Sequence, residues 1–192
     1  MLVDVQSLVR LPEPLTYLDG AIVACGFGTA YAACQRVRVS GCDRVLVTGL
    51  GPVGLSAALL AQKMGAKVLG IEFDADRVAF ARKLGIESLE CAKGQDAEDD
   101  SDVKAAILWA GGEGVDAAID CSGSANARLT CLKSARSWGR IVFVGEGGRV
   151  DFDVSEVVIH KNLTIYGSWV CSIGQMEELV ERLVLWNLHP EV

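Results

Sequence analysis

Between Val45 and Gln62 the chain runs for 18 residues without a charge, which is the lower limit of length for a helix that crosses a bilayer. The middle of the stretch argues against such a helix. Gly49-Leu50-Gly51-Pro52-Val53-Gly54 would break a lone lipid-exposed helix and reads instead as a strand, a tight turn and the start of a new helix.

The rest of the chain repeats that pattern. Short apolar runs at Val45 to Val47, Val68 to Ile71, Val115 to Ile119, Ile141 to Val144 and Leu163 to Tyr166 are too short for helices and mostly apolar on both faces, as strands inside a parallel sheet are. A further, weaker strand is expected near Glu87 to Cys91. Between the strands lie helical segments at about 53–64, 75–84, 98–110, 125–135 and 174–187; the last places Met176, Leu179, Val180 and Leu183 on one face. Thr16 to Arg38 reads as one long helix despite glycines at 20, 26 and 28, and residues 1–14 as a tail ahead of a domain spanning 15–192. The alternation predicts a doubly wound α/β sheet of six parallel strands, order 3-2-1-4-5-6, with helices on both faces. The acidic run Asp96, Glu98, Asp99, Asp100 and Asp102 is placed at a helix N-terminus, where negative charge is favourable.

Charge and cysteines narrow the partners. With 25 acidic against 18 basic residues the net charge is −7, which supplies no basic footprint for nucleic acid or an anionic membrane. Seven cysteines, none within seven positions of another, form neither a zinc ribbon nor a disulfide framework, and a reducing cytoplasm suits them.

The glycine turn carries the first functional reading. Gly49 permits the tight turn, Gly51 lets backbone approach a diphosphate without a Cβ in the way, and Gly54 lets helix and strand pack closely. Pro52 and Val53 open the helix, whose amide groups and dipole favour an anion there. Glu72 ends the next strand 18 positions after Gly54, where an acid accepts the adenosine ribose hydroxyls and repels the extra phosphate of NADP. The expected cofactor is therefore NAD. Methyltransferases share the architecture, but their glycine loop usually follows an acid at the end of the first strand, where this chain has Thr48.

Four segments together resemble the coenzyme-binding domain of the medium-chain, zinc-containing alcohol dehydrogenase family. They are Cys25-Gly26-Phe27-Gly28-Thr29-Ala30-Tyr31, the glycine turn, Gly70 to Arg77, and Gly139 to Gly145. The resemblance covers nearly all 192 residues. It implies that Cys25 is one ligand of a catalytic zinc and that Thr29 contacts the coenzyme near its nicotinamide. It implies a ribose contact for Arg77, and nicotinamide-side loops at Ser122-Gly123 and Val144-Gly145-Glu146. His160 and His189 are read as structural, and the other cysteines as core or surface thiols.

The resemblance also implies what this chain lacks. The remaining zinc ligands and the proton relay belong to a GroES-like catalytic domain, and one cysteine cannot build a zinc site that needs three protein ligands and an open position. The expectation is an excised or truncated NAD-binding domain, inactive alone, from an enzyme acting on a small alcohol or aldehyde, with residues 1–14 a remnant of the preceding catalytic domain or a tail. The strand at 163–166 is expected at the sheet edge, where it would pair a homodimer. A zinc-free NAD(P)H reductase domain, with Cys25 a passive residue, and a non-catalytic NAD-sensing module stay open as alternatives.

Overall fold

A computed structural model describes residues 2–92 and 100–189. After a 3-10 turn at Val5–Ser7, α1 (Tyr17–Ile22) and α2 (Gly28–Arg36) run into one another through a π-helical turn at Val23–Phe27. Strand and helix then alternate: β1 (Arg44–Thr48), α3 (Pro52–Lys63), β2 (Lys67–Glu72), α4 (Ala75–Lys83), β3 (Glu87–Glu90), α5 (Ser101–Trp109), β4 (Val115–Asp120), α6 (Ala125–Ser134) and β5 (Ala135–Phe143). A π turn at Ser155–Ile159 precedes β6 (Thr164–Gly167), and α7 (Ile173–Trp186) follows.

All six strands are parallel, in the order β3-β2-β1-β4-β5-β6. Alternate residues of each strand feed opposite cores. Val45 and Val47 of β1, with Ala117 and Ile119 of β4, pack with α2, α3 and α7. Leu46, Leu69, Ile71 and Ala118 pack under α5 and α6 on the other face. Both faces are covered, which is why these strands read as unbroken apolar runs rather than as alternating ones.

The helices begin where local chemistry starts them. Thr16 and Asp19 cap α1 reciprocally, and Ser172 and Gln175 do the same for α7. Asp19 is buried and also meets His189 Nδ1 at 2.9 Å, which ties the start of the first helix to the chain beyond α7. Burial pushes the Asp19 carboxyl up, but the bonds from His189 and Thr16 outweigh it and the net shift is downward.

Four differences from the sequence-based expectation have visible causes. The long helix expected over 16–38 contains the π turn, an extra residue accommodated where Gly28 lies against Val23 and Cys171. The strand expected at 141–144 starts at Ala135 and bulges, because four residues of β5 stand opposite Asp116 of β4 and Trp138 takes a φ of +64°. The edge strand expected at 163–166 is Thr164–Gly167. The turn at Ser155–Ile159 was given by no periodicity. Asp100 and Asp102 do lie at the start of α5; Asp96, Glu98 and Asp99 lie outside the described residues. No helix among the described residues is long and apolar enough to cross a membrane.

Candidate functional site

The carboxyl ends of β1, β2 and β4 share one rim, held by the Gly49 amide on the Ile71 carbonyl and the Cys121 amide on the Thr48 carbonyl, each at 2.8 Å. Beyond that rim opens a cavity of about 470 Å³, within the usual range for a small-molecule site. Gly49 and Gly51 line one wall, Glu72 and Arg77 a second, and Ser122 with the first turns of α6 a third. This is the crevice at which a doubly wound sheet binds its ligand, where the strand order reverses.

The turn is steric in origin. Gly49 has φ +80° and lies against Ser122, and a Cβ on Gly54 would collide with the Gly49 carbonyl. Gly51 is different: a Cβ there would meet nothing nearer than Arg77 Nη1 at 3.8 Å. The space above Gly51 is open, and α3 starts there without a side-chain cap, whereas Asp74 caps α4 and Ser124 caps α6. An uncapped helix start facing an open crevice is a ready anion site.

Glu72 is 3 % exposed, and its carboxylate is already engaged. Oε2 accepts the Leu50 amide at 2.7 Å, and Oε1 accepts the Phe73 and Asp74 amides at 2.9 and 3.1 Å. The Arg77 guanidinium stands 3.7 Å away with its side chain half exposed. Glu72 thus clamps the glycine turn from the neighbouring strand, beyond the ribose role expected of it. Two carboxylate oxygens offer about four lone pairs, so three amide bonds leave acceptor capacity at the rim.

Cys91 and Cys121 also line the cavity. Burial, then the nearby Asp102 charge, pushes the Cys91 thiol up to about 11, and burial with the Asp120 charge holds Cys121 well above its ordinary value. Both are protonated at neutral pH and neither is an activated nucleophile.

Of the other expected residues, Cys25, Thr29, Gly54, Val144, Gly145 and Glu146 do not line the cavity. Cys25 is exposed on the π turn, and Thr29 is buried one helical turn further on. Cys171 stands close enough to Cys25 for its thiol to be raised by burial and secondarily by that neighbour. Val144, Gly145 and Glu146 follow β5 and touch the β4 loop, where Gly123 and Gly145 leave no room for a Cβ on either side. Pro52 and Val53 sit in the first turn of α3 and do not line the cavity. Asp120 and Arg128, absent from the sequence-based set, prove central to the β4 loop; Asp120 ends β4 as Glu72 ends β2, a signal that was available, whereas nothing in the pattern marks Arg128.

No group of three or more His, Cys, Asp or Glu side chains among the described residues could hold a metal ion. A zinc site does not fit these residues alone.

Sheet order, crevice and glycine turn define a Rossmann-type α/β domain. The family model for zinc-binding dehydrogenases matches residues 52–185, and the chain belongs to that family. It is 41% identical over 191 residues to the uncharacterized zinc-type alcohol dehydrogenase-like protein YphC of Escherichia coli, a match that takes in 99% of this chain and 53% of that protein. Sorbitol dehydrogenase of Rattus norvegicus is 31% identical over 140 residues, 72% of this chain and 38% of the enzyme. The crystal structure of AibC superposes with a TM-score of 0.82 at 30% identity, covering 94% of this chain and 50% of that one. The chain spans about half the length of the relatives it matches.

Proposed function

We propose that residues 15–192 form the NAD(H)-binding half of a zinc-dependent alcohol or polyol dehydrogenase, with residues 1–14 leading in from the other half. The observation that carries this is the open, uncapped start of α3 beside Gly51, with the Glu72 carboxylate at the same rim. A diphosphate above Gly51 meets the first amides of α3 and the positive end of its dipole. Arg77, beside both Gly51 and Glu72, adds a cation at the junction of diphosphate and ribose. Glu72 directs its spare lone pairs to the ribose hydroxyls and disfavours a 2′-phosphate there, which is the reading for NAD over NADP. By the family resemblance, Ser122 and the Val144-Gly145-Glu146 loop are assigned to the nicotinamide side, and Thr29 to a coenzyme contact near it.

When bound, NAD(H) supplies the hydride acceptor or donor; this chain's residues hold it in place and shield it from water. Cys25 is one zinc ligand in the intact protein, the others and the alcohol or aldehyde site coming from the second half. The seven free thiols suit a cytoplasmic location, and the edge strand β6 is the surface for a homodimer.

Calorimetry of the 192-residue chain with NADH, NADPH and S-adenosylmethionine tests the reading. Binding of NADH, weaker binding of NADPH and none of S-adenosylmethionine are expected. NADPH binding as tight as NADH removes the role given to Glu72, and tight S-adenosylmethionine with no NADH removes the dehydrogenase reading.

A further inference from the structure

Asp120 is fully buried at the end of β4 and gathers three loops. Its Oδ1 accepts Thr48 Oγ1 at 3.1 Å from beneath the glycine turn, and the Ser122 amide and hydroxyl at 3.0 and 2.9 Å. The Gly123 amide lies 3.3 Å from both carboxylate oxygens. Oδ2 meets Arg128 Nε at 3.4 Å, and that arginine, its side chain 12% exposed, reaches across to the loop after β5. There Nη2 donates to the Gly145 carbonyl at 2.8 Å and Nη1 to the Gly148 carbonyl at 2.9 Å, while the guanidinium lies 5.5 Å from the centroid of the Phe143 ring. The Asp120 carbonyl accepts the Val144 and Gly145 amides at 2.9 and 3.0 Å.

We propose that Asp120 and Arg128 are positioning residues that lock the β4 loop onto the β5 loop and so set how tightly the nicotinamide half of the dinucleotide is held. The inference rests on the dinucleotide reading above. The geometry has a direction. The described bonds of Arg128 run to Asp120 and to the Gly145 and Gly148 carbonyls and none to the glycine turn, Glu72 or Arg77, whereas Asp120 also holds Thr48 and Ser122 beside that turn. A guanidinium is suited to the task because its rigid fork serves a carboxylate and two carbonyls at once, which an ammonium cannot do. Gly123 and Gly145 press backbone against backbone between the two loops, which leaves no space between them for a side chain.

The test separates the two halves of the ligand. Wild type and Arg128→Met are titrated with NADH and with ADP, which carries adenosine and diphosphate but no nicotinamide. Loss of charge-assisted hydrogen bonds that order only one half should weaken NADH about tenfold or more while leaving ADP within about twofold. ADP binding in the same sample reports that the fold and the glycine turn stand. Where Arg128→Met does not fold, Arg128→Lys, which keeps the cation beside Asp120, serves the same comparison. Unchanged NADH binding, or equal losses for NADH and ADP, overturns the inference and leaves the NAD reading intact. A wild-type chain that binds neither ligand overturns both.

Discussion

The Glu72 carboxylate accepts the Leu50 amide at 2.7 Å, so the end of β2 holds the glycine turn that follows β1. On the proposed reading the same buried acid also accepts the ribose, which would couple fold and binding at one side chain. Glu72→Gln should lower stability by about 1–3 kcal/mol, since an amide in its place brings an N–H toward backbone amides that need an acceptor. Chemical denaturation measures this, and calorimetry should show NADH affinity falling with it.

Gly54 and Gly51 should separate stability from binding. Gly54→Ala forces a Cβ into the Gly49 carbonyl and should cost at least about 2 kcal/mol. Gly51→Ala meets only Arg77 Nη1 at 3.8 Å and should change stability by no more than about 1 kcal/mol. Its methyl nonetheless stands where a diphosphate would lie, so NADH binding should fall about tenfold or more. A Gly51→Ala protein that binds NADH normally contradicts the placement of the diphosphate.

Acid should loosen the junction of β1, β4 and β5. Asp116 accepts the Arg44 amide at 2.8 Å and Arg136 Nε at 2.6 Å. Burial pushes its carboxyl up, but those bonds outweigh it and its pKa lies below the ordinary 3.8. A group depressed in the folded state contributes stability above its unfolded value and loses it as pH falls through the folded one. Stability should therefore drop as pH falls from about 5 toward 3, and Asp116→Asn should flatten that drop while costing about 1 kcal/mol at neutral pH. Urea midpoints across that range decide it.

Thiol chemistry should follow burial. Cys25 and Cys42 are exposed, whereas Cys34 and Cys131 are fully buried and burial lifts the Cys34 thiol to about 12. Iodoacetamide should label the first pair at least about tenfold faster than the second, because only exposed thiolates react. Mass spectrometry of the labelled peptides provides the readout, and early labelling of Cys34 would contradict the packing of α2 on α3.

Edge pairing through β6 should make the chain a dimer. Ile165 of that strand is 37% exposed, and an uncovered apolar edge is a template for a second copy. Light scattering at micromolar concentration should give twice the monomer mass, with Ile165→Lys shifting it to one.

Much of the architecture was legible because it depends on local rules. The charge-free run around residues 45–62, the glycine spacing and the alternation of short and long apolar segments specify strands buried on both faces, and buried parallel strands permit few topologies. The family membership was legible for a related reason, because the segments around Cys25, Gly51 and Glu72 are each contiguous stretches of the chain. What the linear order could not show were the relations between segments. Glu72 pairs with an amide 22 residues away, Asp120 with a hydroxyl 72 away, and Arg128 with carbonyls 17 and 20 away. Hydrogen bonds of that kind have no period, since an acid or an arginine carries the same letter whether it faces solvent or a neighbouring loop. The bulge in β5 and the π turn under Cys25 were hidden likewise, because packing against other elements, rather than local propensity, sets where a strand or helix takes in an extra residue. The amino-acid order thus determined which kind of sheet forms and where its ligand crevice opens, and only the folded chain decided which side chains hold that crevice in shape.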